Sequence, residues 1–231
     1  MFEASKTRAL RGEAFLNNYV AGAVLAIGCG PDLVVPGAQA FDVEHGDANR
    51  ILDYLSPESF DCVHSSHCLE HMRNPSDALR QWWELVRPGG YLIFVVPDEE
   101  LYEQGIWPSA FNPDHKATFR LDRAASWSHV SFDVRELVSR LPGSRVIECV
   151  VQDQGYDHRL RSSVPAGMKL AMMKLGAWRE STFSRLMHRG FPVYRLSRAL
   201  DRLERALGKP IDQTAGPALA QIQAIVQKML R

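Results

Sequence analysis

Gly28-Cys29-Gly30 follows the apolar run Val24 to Ile27, and Asp42 closes a second short apolar run, Ala38 to Phe41. Glycines let a ligand approach the backbone where a side chain would collide. In an open parallel sheet, ligands bind beyond the carboxyl ends of the strands. A carboxylate at the tip of the neighbouring strand is placed to accept both hydroxyls of a ribose, and Asp42 has that place. A dinucleotide fingerprint would need a third glycine at position 33. That residue is Leu33, which argues against nicotinamide-dependent chemistry.

Histidines supply the other candidate chemistry. An imidazole with an ordinary pKa near about 6.5 suits removal of a hydroxyl proton. His67 follows the apolar run at 60 to 64 and is expected to face the ligand cleft. His115, in FNPDHK, lies in the long loop after the strongest apolar run, with Asp114 beside it to orient it. His115 is the expected base or acceptor contact, with Glu99, Glu100 and Tyr102 as alternatives. His71 and His129 are expected to serve packing, capping or structural hydrogen bonds. The spacing of Asp98, Asp114 and His115 demands no metal, and none is expected.

These residues need a frame to hold them. Residues 3 to about 18 read as a helix. Short apolar runs at 24–27, 38–41 and 60–64 read as strands, and YLIFVV at 91–96 as a central one, apolar on both faces. Between the last two, Asp77 to Val86 reads as a helix capped by Ser76, with Leu79, Trp82, Trp83 and Val86 as its buried face. The loop from 98 to 119 is long enough to be functional. Asp133 to Leu141 reads as a helix capped by Asp133, and Arg145 to Val151 as a strand. Alternating strands and helices with short loops predict a parallel sheet wrapped by helices.

Hydrophobic residues make up 45% and charged residues 23% of the 231 positions, ordinary for a globular protein. Cys29, Cys62, Cys68 and Cys149 form no CxxC pair, which excludes a zinc framework and favours reduced thiols. No run reaches transmembrane length, and the charged N-terminus is no signal peptide. A cytoplasmic protein is expected. The net charge is zero but unevenly spread. Residues 157–209 hold 12 Lys and Arg against 4 Asp and Glu, a net +8, leaving −8 on the rest. Within them Pro192 marks a helix start and Gly208 an end. Val193, Leu196, Leu200, Leu203 and Leu207 share one face, with arginines on the other. Such a helix suits an anionic membrane surface at the inner face of the membrane, or a phosphate-bearing substrate. The neutral total charge and the lack of an aromatic-basic platform argue against nucleic acid.

The ordered strings VLAIGCG, FDV, GDA, SFDCVHSSHCLEHM and LRQWWELVRPGGYLIFVVPD resemble the type 11 group of class I S-adenosylmethionine-dependent methyltransferases, over residues 22 to 98. The resemblance implies an α/β, Rossmann-like fold with a mostly parallel seven-stranded sheet, an antiparallel last strand and a helical insert. It implies S-adenosylmethionine as cofactor. Gly28, Cys29 and Gly30 would then flank its methionine part, and Asp42 would hold the ribose hydroxyls. Asp47 and the backbone of Ala48 would meet the adenine, and Ser65 and Ser66 would lie near the sulfonium and carboxylate. The end, DQTAGPALAQIQAIVQK, resembles the last strand of methyltransferases of polysaccharide biosynthesis. The expected division is a cofactor-binding core at 1–156, a basic helical insert at 157–218 and a final strand at 219–231.

The chain departs from the group's pattern at Ala26, where an acid is usual, and at Asp32, the third glycine position. The link from Gly30 to Asp42 is also short for a crossover helix, so a turn is expected there. The expected function is methyl transfer to a small polar acceptor, above all a hydroxyl of a saccharide or glycan precursor. The alternatives are transfer to nitrogen or carbon of another small molecule, and a non-catalytic binding module that keeps the fold.

Overall fold

The computed structural model describes residues 3–189 and 191–230. Positions 1, 2, 190 and 231, at the ends of or within the three expected segments, lie outside the described residues. The N-terminal stretch is two helices rather than one, α1 (Glu3–Leu10) and α2 (Glu13–Tyr19). The break falls at Arg11-Gly12 because Gly12 is extended and Arg11 turns inward. Its buried guanidinium donates to Gln223 Oε1 from Nε at 3.1 Å and from Nη2 at 2.6 Å, and to His64 Nε2 from Nη1 at 2.9 Å.

All four residues of β1 (Val24–Ile27) are apolar and buried, as a central parallel strand requires. It pairs in parallel with β2 (Gln39–Phe41) and with β3 (Phe60–Ser66). No helix joins β1 to β2. Turns closed by the Asp32 N–H on Cys29 O and the Ala38 N–H on Val35 O carry the chain across. Asp32 also fastens this link beneath α1, accepting from the Ser5 backbone N–H at 2.7 Å and from its hydroxyl.

α3 (Pro75–Glu84) starts two residues before its expected first residue, Asp77. Asn74, not Ser76, accepts the backbone N–H groups of Ser76 and Asp77, and Pro75, preset for a helix and lacking an N–H, takes the first helical position. The helix stops at Glu84 because Val86 already pairs with Phe60 as the first residue of β4 (Val86–Pro97). Trp82 and Trp83 are fully buried, and each indole N–H finds a carbonyl, Ala48 O at 2.9 Å and Pro142 O at 3.0 Å.

Beyond β4 come β5 (Thr118–Arg120), β6 (Ser131–Asp133), α4 (Val134–Ser139), β7 (Ser144–Gln152), the helices α5 (Ala166–His188) and α6 (Tyr194–Ala206), and β8 (Gln221–Lys228). Asp133 caps α4 through the Glu136 N–H. The main sheet has the order β2-β1-β3-β4-β8-β7, and β8 runs antiparallel to both neighbours. It has six strands among the described residues, not seven, because β5 and β6 pair with each other as a separate parallel sheet.

α5 and α6 pack on each other through the buried Arg179, whose Nε lies 3.1 Å from Glu204 Oε1 and whose Nη2 lies 3.4 Å from Asp201 Oδ1. The apolar face expected on 193–207 is only partly covered: Val193 and Leu200 are half-buried, whereas Leu196, Leu203 and Leu207 are more than half exposed, as is Trp178. No described helix is long and apolar enough to cross a membrane.

Two outcomes test this packing. Trp82→Ala should cost about 3–5 kcal/mol in urea unfolding, the usual range for emptying a buried tryptophan site; a loss under about 1 kcal/mol would mean the site collapses freely. The second concerns His64, which must present a lone pair at Nε2 to Arg11. Burial, and then the Arg11 charge, hold its pKa well below 6.5. The unfolded ring takes up a proton near pH 6.5, so stability is intact above about pH 6.5 and falls as the pH drops below it. The urea midpoint should be lower at about pH 5.5 than at about pH 7.5, and His64→Gln should shrink the difference. An equal difference in the variant would remove His64 from the account.

Candidate active site

A cavity of about 720 Å³ opens where β1, β2 and β3 end. Gly28, Asp42, Asp47 and Ala48 line it, together with His67, Cys68 and His71. Gly28 has a positive φ of 64° and donates its N–H to Phe41 O at 2.8 Å. A Cβ at this position would stand 2.4 Å from Cys68 Sγ and 2.6 Å from Cys68 Cβ, so no side chain fits. Gly30 also has a positive φ, 51°, with open space around it.

The Gly30 N–H reaches Asp42 Oδ2 at 2.7 Å, and the Val43 N–H reaches Oδ1 at 2.8 Å. The carboxylate is thereby fixed at the cavity wall, and each oxygen keeps acceptor capacity for a ligand hydroxyl. Asp47 accepts the Asn49 backbone N–H at 2.9 Å and pairs with Arg73. Hydrogen bonds from Asn49, and then the Arg73 charge, hold its carboxyl below the ordinary range. The Ala48 carbonyl is taken by Trp82, so a contact from this backbone falls to its N–H. These features fit a cofactor carrying a ribose and a chain that lies against bare backbone.

The remaining residues expected at the cofactor lie off the cavity wall. Cys29 packs with the Val20 and Val24 side of the sheet. Ser65 and Ser66 are the last residues of β3, and their hydroxyl oxygens are buried without a partner. The next two residues, His67 and Cys68, form the wall instead.

A smaller cavity of about 150 Å³ adjoins the first, since His67 and His71 line both. His115 lines it too, its side chain 3% exposed. His115 Nδ1 lies 2.7 Å from Glu103 Oε1, so Glu103, not Asp114, orients this ring. Asp114 faces the other way, 71% exposed, with Oδ2 3.0 Å from His71 Nδ1 and a second link to Lys116. A residue adjacent in sequence points to a different neighbour because the backbone turns between them.

Among the alternatives, Tyr102 lines the small cavity and packs on His115 with ring centroids 5.3 Å apart. Glu99 is buried and accepts hydroxyls from Thr118, Ser126 and Ser131, a structural role. Glu100 accepts the Trp127 indole N–H. Asp98 pairs with Arg123 at 2.8 Å, and burial raises its pKa. His129 is exposed.

Three residues escaped sequence reasoning, one lining this cavity and two holding its histidines. Glu70 is fully buried, with His67 Nδ1 at 3.4 Å and His115 Nε2 at 4.0 Å from Oε1. Burial opposes its ionisation, but His67, His115 and His71 together outweigh this and hold its carboxyl below the ordinary range. Glu103 is the second buried acid. Gln221 at the start of β8 is the third, its Oε1 2.9 Å from His67 Nε2. The spacing of His67, Glu70 and His71 in SHCLEHM was the available signal for Glu70; Gln221 left none, being 154 residues from its partner.

Residues 5–157 match the family model of the methyltransferase domain. No curated protein shows significant sequence similarity to the chain. Among solved structures, the YcgJ protein of Bacillus subtilis is 12% identical with a TM-score of 0.49, over 99% of this chain and 97% of that one. A SAM-dependent methyltransferase from Archaeoglobus fulgidus is 11% identical with a TM-score of 0.48, over 98% and 95%. The family match, not these distant likenesses, assigns the chain. The fold and the site define an α/β, Rossmann-like enzyme. The chain belongs to the methyltransferase domain family, and it is an S-adenosylmethionine-dependent methyltransferase.

Gly28→Ala should weaken S-adenosylhomocysteine binding about tenfold or more in calorimetry, because a forced φ and the Cys68 overlap together cost at least about 1–3 kcal/mol. Circular dichroism should stay native. An unchanged affinity would detach the cofactor from this turn.

Proposed function

We propose that this enzyme transfers the methyl group to a hydroxyl of a small polar acceptor, a saccharide or glycan precursor. The observation that supports this reading most is the cluster of imidazoles in a polar cavity opening beside the cofactor cleft. Bound in that cleft, S-adenosylmethionine supplies an electrophilic methyl group on a positively charged sulfur. The Gly28 backbone and the fixed Asp42 carboxylate hold and orient the cofactor, with Asp47 and Ala48 at its adenine. The small cavity would hold the acceptor beside the cleft. The acceptor's hydroxyl proton would pass to an imidazole, His67 or His115, as the methyl group is transferred. His67 suits this role: its Nε2–H donates to Gln221 Oε1, and Nδ1 faces the buried Glu70 carboxylate. Glu103 orients His115, and Asp114 steadies His71 at the rim.

A labelled-methyl transfer screen over sugar nucleotides and glycan extracts tests the acceptor. A labelled glycan ether is expected; labelling only on amines or carbon acids overturns the hydroxyl reading. His67→Ala and His115→Ala should each lower turnover about 10²- to 10⁴-fold, the span of general base catalysis, and His115→Ala, whose ring lies off the cofactor cavity wall, should leave S-adenosylhomocysteine affinity unchanged. Full turnover in both would remove the imidazoles from the proton path. Failure of the chain to bind S-adenosylhomocysteine at all would instead favour a binding module.

We also propose that the α5–α6 pair, within the insert 157–218, meets an anionic surface. The net +8 of residues 157–209 coincides with uncovered apolar side chains at Trp178, Leu196, Leu203 and Leu207, the combination that holds a helix at a lipid interface. The pair should sediment with anionic vesicles at low salt and less at high salt. No pelleting at low salt ends this reading.

A further inference from the structure

The small cavity gathers side chains from four separate segments: the turn after β3, the residues just beyond β4, the loop before β5, and Thr214 in the turn before β8. Glu70 stands at its centre. Both its carboxylate oxygens are buried without a well-formed hydrogen bond. A buried carboxylate is costly unless a positive charge meets it.

The histidines around it are oriented in one way. His115 Nδ1 lies 2.7 Å from Glu103 Oε1, so this nitrogen carries the donated proton and Nε2 the lone pair. His71 Nδ1 lies 3.0 Å from Asp114 Oδ2, which likewise leaves its Nε2 as the lone-pair nitrogen. An imidazole whose far N–H is held by a carboxylate is how proteins orient metal-ligating histidines. One ligand atom from each of Glu70, His71 and His115 lies within 4.8 Å of the other two, and His115 Nε2 stands 4.0 Å from Glu70 Oε1. Ligands at about 2.0–2.1 Å from a tetrahedral cation stand about 3.3 Å apart. Small side-chain rotations therefore close these three on one ion.

We propose that Glu70, His71 and His115 form a binding site for a first-row divalent transition cation, of the zinc or cobalt kind. Two imidazoles with one carboxylate favour such ions over magnesium, which prefers oxygen alone. Three protein ligands leave positions open to the cavity, as in catalytic metal sites. The cation holds the acceptor's oxygen there and lowers the pKa of its hydroxyl. That role rests on the hydroxyl-acceptor reading, whereas the site itself does not. It assigns His115 to the cation and leaves the proton to His67.

The test is equilibrium dialysis of the untagged, chelator-stripped full chain against Co²⁺, Zn²⁺ or Mg²⁺ alone, with neither cofactor nor acceptor. Uptake of a single Co²⁺ or Zn²⁺ per chain is expected, with visible absorption from bound Co²⁺. Glu103→Gln should weaken it about ten- to a hundredfold through the lost partner of His115, and His71→Ala about tenfold or more. The His71 side chain is 25% exposed, so its loss leaves the fold, as circular dichroism checks. Three results overturn the proposal: no stoichiometric Co²⁺ or Zn²⁺ uptake by the unaltered chain, tighter uptake of Mg²⁺, or unchanged affinity in a natively folded His71→Ala. Since nothing is methylated in this assay, a failed acceptor screen leaves the metal result standing, and the reverse.

Discussion

The contact between Gly28 and Cys68 is the constraint on which the site depends. Two strand ends, β1 and β3, come so close that no Cβ fits on one of them. The bare backbone so produced is what a cofactor can lie against. The same turn sends the Gly30 N–H to Asp42, so one local geometry both opens the cleft and fixes the carboxylate beside it. Cys68 in turn precedes the short 3-10 helix Leu69–His71, which drops Glu70 into the interior and leaves His71 at the rim. The cofactor cleft and the polar cavity are thus consecutive products of one chain segment.

The polar cavity is completed from further away. β8 enters the sheet antiparallel between β4 and β7, so its first residue lies level with the carboxyl ends of the parallel strands. That puts Gln221 against His67 and, two residues on, Gln223 against Arg11 and Glu148. Buried glutamines are tolerated there because each amide has partners. Glu70 also holds the loop before β5 through its carbonyl, which accepts the Lys116 N–H at 2.7 Å. The loop that brings His115 inward is therefore anchored at the carboxylate it faces.

The basic helices stand apart from this economy of contacts. Asp201 and Glu204, two of the four acids in residues 157–209, are used to hold Arg179 and Lys209 inside the helical pair. The outer arginines keep their charge toward solvent, beside apolar side chains that a self-contained cap would have buried.

Much of the frame was legible in the sequence because it is written in local pattern. Four apolar residues before Gly28 make a central strand, the short link to Asp42 excludes a crossover helix, and the ordered strings from 22 to 98 mark the family. Asp32, a departure from that family's turn, proved to be a tether for α1. Boundaries shifted where two signals competed, as when Pro75 moved the cap of α3 to Asn74. The number of strands was misjudged because β5 and β6 found each other instead of the main sheet. What the sequence determined by itself was the placing of Gly28 and Asp42 at the larger cavity, since short-range geometry sets both. Only the tertiary structure decided the smaller cavity. Asp114 is next to His115 in the chain yet serves His71, while Glu103, Glu70 and Gln221 reach the imidazoles across the fold. Hydrogen bonds follow direction and distance in space, and neither is encoded in the order of residues.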